Sequence, residues 1–118
     1  MQKPGFDENA SLENLKRKEL KNSAEWEDFR VKLLNKTKKI LLREFNRKGI
    51  EIWLIGSIIQ PNQFTKRSDI DIVVKNYDGD RFDLWTLLEA EIGHELEIIR
   101  YEECDFQNDI LQYGIKVL

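Results

Sequence analysis

The sequence predicts an α+β fold in which a small mixed β-sheet is packed by helices. Two stretches, 23–47 and 81–92, place apolar residues close to the helical period of 3.6. Short runs rich in β-branched and aromatic residues alternate with these stretches, which is typical of strands that helices cover. The length of 118 residues suits one compact domain.

The first long helix is predicted to follow a short N-terminal segment. Residues 1–22 are interpreted as a tail with a short helix over 11–21, which makes an N-terminal helical extension to a domain at 23–118. Asn22 offers an N-cap for a long amphipathic helix over 23–47.

Shorter signals predict the remaining elements. Runs of apolar and β-branched residues that end at a glycine or at a polar turn indicate strands, and apolar residues at helical spacing indicate helices. In chain order, the sequence predicts a strand over 50–55, a loop over 61–67, a strand over 69–74, a turn over 76–80, a helix over 81–92, a strand over 95–100, a helix over 105–113 and a short strand over 115–118.

Charge is unevenly distributed along the chain. Residues 1–50 carry 13 Lys and Arg against 8 Asp and Glu, whereas residues 51–118 carry 6 against 14. An acidic half is a poor match for a nucleic-acid backbone, so direct nucleic-acid binding is not expected. The basic half is interpreted either as a solvated helix face rich in lysine or as a surface that attracts phosphate or an acidic partner.

Three features indicate a cytoplasmic protein. The N-terminus has no apolar stretch typical of a secretory signal, and no apolar run approaches the length of a membrane span. Cys104 is the only cysteine, so no disulfide can form within the chain, which agrees with a reducing compartment. We therefore expect a cytoplasmic location and no membrane partner.

Asp69 and Asp71 are the strongest candidates for chemistry. Residues i and i+2 of a strand point to the same face, so both carboxylates are expected to project together. Two like charges held side by side repel unless a cation or solvent screens them. Mg²⁺ prefers one or two carboxylates together with water and phosphate oxygens. The pair therefore predicts a metal site, with Glu97 or its neighbour Glu95 as a third carboxylate.

A Gly-Ser pair, Gly56 and Ser57, stands where the first predicted strand ends. Glycine lets the backbone approach a ligand closely, and the serine hydroxyl and following N–H groups can bind a phosphate. Lys66, Arg67 and Ser68 lie in the loop just before the two aspartates. The basic side chains of this loop either reach phosphates or are surface residues.

Gly56-Ser57, followed after an 11-residue spacer by Asp69-x-Asp71, resembles the signature of the nucleotidyltransferase superfamily with the DNA polymerase β-like fold. The length is similar to that of its minimal nucleotidyltransferase (MNT) branch. The resemblance implies that the Gly-Ser pair contacts the triphosphate of ATP or another nucleoside triphosphate, and Lys66, Arg67 and Ser68 are candidates to bind the same nucleotide. It also implies that the aspartates hold Mg²⁺, as two ions, with Glu97 as the third acidic residue that supports the metals or activates the nucleophile.

The same resemblance implies a reaction and a partner. A nucleoside monophosphate would be transferred from a nucleoside triphosphate to an acceptor hydroxyl, with release of pyrophosphate. ATP is the first candidate for this triphosphate. Minimal members of the family pair with a small helical HEPN-type protein in toxin–antitoxin systems and can adenylylate it, so such a protein is the implied partner.

Three departures from the family pattern keep a second function open, and one of them is that the third acidic residue is Glu rather than the usual Asp. Ile58-Ile59-Gln60-Pro61 stand where the family has Arg-Ala-x-Gly, and the spacer is one residue longer than its commonest form. The alternative is a catalytically weak or inactive module of this fold, which acts by protein–protein interaction or by nucleotide binding.

Overall fold

Three helices and four strands occupy residues 22–46 and 49–118, which are the residues that the computed structural model describes. The elements are α1 (Ser23–Glu44), β1 (Glu51–Ile55), β2 (Ile70–Lys75), α2 (Arg81–Ile92), β3 (Leu96–Arg100), α3 (Gln107–Tyr113) and β4 (Ile115–Lys116). Short 3₁₀ turns at Gly56–Ile59 and Tyr101–Glu103 follow β1 and β3. The predicted α+β class is confirmed, whereas the helix predicted over 11–21 lies outside the described residues.

The four strands form one mixed sheet in the order β3-β2-β1-β4. β1 is antiparallel to β2 and β4, whereas β2 is parallel to β3 and is joined to it through α2. The pairing of β4 continues past its assigned end, because Val117 N–H donates to the Ile52 carbonyl (2.8 Å) and Ile52 N–H donates to the Leu118 carbonyl (3.1 Å). The short strand predicted over 115–118 is therefore present.

α1 begins as predicted but ends earlier. The Asn22 side chain accepts a hydrogen bond from Glu25 N–H (2.9 Å), which caps the helix. The helix ends at Glu44 rather than near residue 47, because Phe45 leaves the helical region with φ −115° and ψ 39°. Phe45 is buried and contacts the Tyr77 ring edge to face, so core packing turns the chain away from the helix axis.

α2 has the bounds that the sequence predicts. The Asp80 side chain caps it by accepting a hydrogen bond from Asp83 N–H (2.9 Å), and Gly93 ends it with φ +80°. Other boundaries differ from the prediction by one or two residues, since β1 begins at Glu51, β3 at Leu96 and α3 at Gln107, and β2 spans Ile70–Lys75. Within the described parts of the chain, every helix is too short or too polar to cross a membrane.

Both faces of the sheet are covered, and they are covered differently. On one face, α1 and α2 pack on the larger core, whose buried side chains include Leu33, Leu41, Ile52, Leu54, Ile70, Ile72, Val74 and Leu88. Burying each such side chain contributes about 1.5–3 kcal/mol. On the other face, Trp53 and Val73 pack against Tyr101 and against Ile110 from α3. Because strand residues alternate, Asp71 lies on this second face with Val73.

The basic residues of α1 do not all lie on a solvated face. Arg30 is 6% exposed and Lys36 is 3% exposed. Arg30 Nη1 donates to the Ile58 carbonyl (2.8 Å), so the buried guanidinium reaches across to the turn after β1. The interpretation of the basic half as a solvated lysine-rich face is therefore wrong at these two positions. At Arg30 the long cationic side chain is buried because a carboxylate and a carbonyl accept its hydrogen bonds.

Candidate metal and phosphate site

Asp71 lies in the middle of the sheet and has a candidate residue on each side. Its register partner on β1 is Ile55, which Gly56 and Ser57 follow directly, and its register partner on β3 is Glu97. Side chains of directly paired residues project from the same face of a sheet. The topology therefore brings the Gly-Ser pair and the acidic residues, which are separate in the sequence, to one end of the sheet.

Gly56 and Asp71 are in close contact. Gly56 has φ +79°, and a Cβ atom added there would lie 2.6 Å from Asp71 Oδ2. The backbone conformation therefore favours glycine, and any side chain at this position would displace the Asp71 carboxylate. The sequence predicts that a ligand approaches this glycine closely. In the structure, the Asp71 carboxylate makes that close approach.

Repulsion and burial act together on Asp71. They raise the pKa of its carboxyl from 3.8 to about 6, first through burial, then through the charge of Glu97 and then through that of Asp69. At neutral pH the ionised form prevails, and three negative charges then lie close together. Such a cluster favours the approach of a cation, because a cation removes the repulsion.

The sequence leaves open whether Glu95 or Glu97 is the third carboxylate. The register of β2 against β3 helps to decide between them. Glu97 is exposed, lies opposite Asp71 and raises its pKa. Glu95 stands one residue before β3, where its carbonyl accepts a hydrogen bond from Ile70 N–H (3.1 Å). Asp69 is exposed one residue before β2. Glu97 is therefore the glutamate next to Asp71.

The donor set suits Mg²⁺ better than an ion that needs a closed protein cage. Among the described residues, no group of three or more His, Cys, Asp or Glu side chains could hold a metal ion together. Mg²⁺ needs fewer protein ligands, since it is usually bound by one or two carboxylates, several waters and substrate phosphates. Asp69 and Asp71 supply that number of carboxylates.

The loop before the aspartates is a tight turn. Ser68 N–H donates to the Thr65 carbonyl (3.0 Å), and Ser68 Oγ accepts a hydrogen bond from Thr65 N–H (2.8 Å). Lys66 and Arg67 are the central residues of this turn and are exposed. Ser57 is half-buried in the turn after β1, where its carbonyl accepts a hydrogen bond from Gln60 N–H (3.1 Å). The Ser68 hydroxyl thus shapes the loop that presents the two basic side chains.

A salt bridge on α1 holds the segment after the Gly-Ser pair, and no local sequence pattern reveals it. Arg30 donates twice to Glu27, at 2.7 and 2.9 Å, and once to the Ile58 carbonyl. Glu27 Oε1 also accepts a hydrogen bond from Asn62 N–H (2.7 Å). The Arg30 guanidinium and this N–H lower the pKa of Glu27 to about 2. We call Glu27 and Arg30 the α1 clamp, which fixes both ends of residues 58–62.

His94 anchors the other end of the loop. It is buried between the rings of Phe29 and Phe64, with centroids 5.9 and 5.5 Å away. Its Nε2 lies 3.0 Å from the Ser68 carbonyl, directly before Asp69. The position of Asp69 therefore depends on contacts with α1 and with the segment that enters β3.

No protein-family model matches this sequence, and no curated protein or solved structure matches the chain. The interpretation of the site therefore depends on its sequence motif and on its geometry.

Proposed function

We propose that this chain is a Mg²⁺-dependent nucleotidyltransferase of the minimal type with a polymerase β-like fold. It transfers a nucleoside monophosphate from a nucleoside triphosphate to an acceptor hydroxyl and releases pyrophosphate. ATP is the first candidate for the triphosphate. The observation that carries the proposal is the contact between Gly56 and Asp71, which unites the two halves of the motif. If the Gly-Ser pair and the Asp-x-Asp pair occurred together in the sequence by chance, nothing would require them to be in contact in the folded chain.

Each residue of the site has a role in this proposal. Asp69 and Asp71 hold Mg²⁺, which neutralises phosphate charge when bound. The backbone N–H groups of the turn at Gly56–Ile59 and the Ser57 hydroxyl bind phosphate oxygens. Lys66 and Arg67 lie exposed beside the aspartates and balance the outer phosphates. Glu97 supports the metal site through its charge, which acts on Asp71, or accepts the proton of the acceptor hydroxyl.

The acceptor that we propose is a protein, namely a small helical HEPN-type partner in a toxin–antitoxin pair. Large apolar side chains on α2, Phe82 (72% exposed) and Trp85 (39% exposed), are available for a protein partner to cover. A cytoplasmic location, which the single cysteine favours, belongs to the same proposal.

Ile58 supports a second function. It is fully buried, and it stands where the family pattern carries an arginine. A buried apolar side chain cannot bind a phosphate, so this position contributes no charge to a triphosphate. The second candidate is therefore a module of the same fold that binds a nucleotide or a partner without turnover.

The deciding experiment uses ATP labelled at the α-phosphate, with Mg²⁺ and with helical proteins encoded beside this chain. We expect pyrophosphate release and transfer of the label to one of these proteins, both dependent on Mg²⁺. The variant with Asp69→Asn and Asp71→Asn should lose both signals. Nucleotide binding without transfer to any acceptor would instead support the second function.

A matched control is available in the turn before α2. Asp78 and Asp80 have the same i, i+2 spacing but lie beyond the other end of β2. Asparagine at position 80 still caps α2, so replacing both aspartates by asparagine removes two charges with little effect on the helix. The control variant should keep full activity. Activity that survives in the Asp69 and Asp71 double variant would exclude the proposed metal site.

A further inference from the structure

A cavity of about 510 Å³ opens beside Gly56, on the face of the sheet that carries Asp71. Ile55 and Ile59 line one side, from β1 and the turn that follows it. Phe106, Ile110 and Tyr113 line the other side, from α3 and the residue before it. The cavity therefore lies between α3 and the end of the sheet where the acidic residues meet.

The wall that α3 forms is held firmly in place. A Cβ atom added to Gly114, at the end of α3, would lie 2.7 Å from the Ile110 carbonyl and 3.2 Å from Ile55 Cγ2. A side chain at position 114 would therefore crowd the last turn of α3 and press on Ile55 of β1. Ile110 is fully buried between them and joins α3 to the core of the second face.

We propose that this cavity is a nucleobase site. It takes the base of the nucleoside triphosphate whose phosphates lie at Gly56, and in this respect it rests on the proposed function. Gly56 lines the cavity and also contacts the Asp71 carboxylate, so the two sites share a residue. A ligand with an anionic end and an aromatic end can span both.

The lining has the chemistry that a planar ring requires. Pockets of about 300–1,000 Å³ with apolar walls and a few polar groups are typical sites for small ligands. Phe106 is 42% exposed and Tyr113 is 68% exposed, although each is a large aromatic residue. Bases stack on such rings, and the stacking tolerates different bases because every base has a π-face.

Asp109 determines the orientation of the ligand and its class. It lines the cavity from α3, and a carboxylate only accepts hydrogen bonds. Its charge repels phosphates, so the anionic end of the ligand must lie at Gly56. Its oxygens favour a base with an exocyclic amino group. We therefore expect adenine, cytosine or guanine to bind better than uracil.

Binding measurements separate the base site from the phosphate site. Adenosine, inorganic tripolyphosphate, ATP and UTP are titrated in the presence of Mg²⁺ into the wild-type protein and three variants. Tyr113→Ala should weaken adenosine and ATP by roughly 5- to 100-fold, while tripolyphosphate binding stays unchanged. Asp109→Asn should reduce the preference for ATP over UTP. Leu111→Ala is the matched control, because Leu111 is exposed on α3 but does not line the cavity.

Each outcome decides between the two proposals. If tripolyphosphate binds as tightly as ATP and Tyr113→Ala weakens neither, the base site is wrong and the phosphate site stands. If adenosine binds through Tyr113 but tripolyphosphate does not bind, the base site stands and the nucleotidyltransferase proposal fails. If none of the four ligands binds, both proposals are overturned. If only a protein partner occupies the cavity, the base site is again wrong.

Discussion

At Gly56, the conformation of the backbone and the proposed chemistry depend on the same atoms. The glycine adopts φ +79°, and the Asp71 carboxylate fills the space that a side chain would need. A larger residue would strain the turn and push Asp71 away from the position in which it faces Glu97. The residue matters for the position of the carboxylate as well as for the approach of a phosphate.

Alanine substitutions at two glycines can separate strain from crowding. Gly49 also has positive φ (+92°), but no described atom lies within 4 Å of an added Cβ. Gly49→Ala should therefore cost about 1 kcal/mol in the free energy of unfolding, from backbone strain alone. Gly56→Ala should cost about 1–3 kcal/mol more, because Asp71 must move. Urea unfolding at neutral pH measures both, and equal costs would show that the contact with Asp71 is not tight.

Asp71 should make the stability of the protein depend on pH. Its pKa is raised from 3.8 to about 6 on folding, so the folded state favours the protonated form. The contribution of Asp71 to stability should be most favourable below about pH 4 and should fall as the pH rises through 6. Asp71→Asn should remove this fall and gain about 1–2 kcal/mol at neutral pH, after allowance for solvent screening.

The measurement is the free energy of unfolding of both proteins across this pH range, without divalent cations. The exposed Asp78→Asn serves as the control and should follow the wild-type curve. A wild-type protein that becomes more stable relative to Asp71→Asn as the pH rises would contradict the expected sign.

Among the elements, α1 does more than cover the sheet. The α1 clamp, Glu27 and Arg30, binds the Ile58 carbonyl and the Asn62 N–H, which lie on either side of Pro61. Asn62 has φ +64°, a conformation that asparagine tolerates better than most residues. The irregular segment after the Gly-Ser pair is therefore held by a helix that precedes it in the chain. This contact gives the segment a fixed shape despite its departure from the family pattern.

Removing the clamp should loosen that segment without unfolding the domain. In Glu27→Ala, we expect the amide hydrogen of Asn62 to exchange roughly tenfold faster, because it loses its acceptor. Asp28→Ala is the matched control, since Asp28 makes only an exposed salt bridge with Lys32 on the same helix. Because the pKa of Glu27 is lowered to about 2, the wild-type protection should persist at pH 4 and be lost only as the pH falls towards 2. Unchanged exchange in Glu27→Ala would contradict the role of the clamp.

Local signals predicted the elements well, and long-range contacts explain the differences. The cap at Asn22 acts within one turn of the helix that it begins, so the sequence shows it directly. The early end of α1 at Glu44 depends on Phe45 packing with a residue over thirty positions away. The burial of Arg30 similarly depends on a carbonyl 28 residues further along the chain. A periodic pattern assigns a cationic residue to solvent because it contains no information about such partners.

For the molecule as a whole, the last four residues should matter more than their number suggests. Residues 115–118 pair with β1, and hydrogen bonds with them satisfy both the N–H and the carbonyl of Ile52. Their deletion should expose the edge of β1, lower the denaturation midpoint and promote self-association. Lys116→Gln keeps the backbone pairing and is the control. Calorimetry and sedimentation measure the two effects, and an unchanged denaturation midpoint together with an unchanged sedimentation coefficient after deletion would contradict the prediction.

The candidate site was predictable in its residue types and less so in its geometry. The spacing of Asp69 and Asp71 and the position of Gly56 before a turn are visible in the sequence. The choice between Glu95 and Glu97 is not visible, because it depends on the register of β2 against β3. The cavity beside Gly56 was not predicted either, since its walls come from distant segments that meet only when α3 packs on the sheet.

The order of the strands also has a kinetic consequence. Gly56, Asp71 and Glu97 come from three neighbouring parts of one sheet, and the parallel pairing of β2 with β3 closes only after α2 has crossed over. A chain that has paired β1 with β2 alone holds two of the three residues. Under the proposed function, Mg²⁺ should therefore bind the native sheet better than such a hairpin, which carries Asp69 and Asp71 but lacks the charge of Glu97. It should slow the unfolding rate and leave the refolding rate nearly unchanged, as ligands that recognise only late structure do.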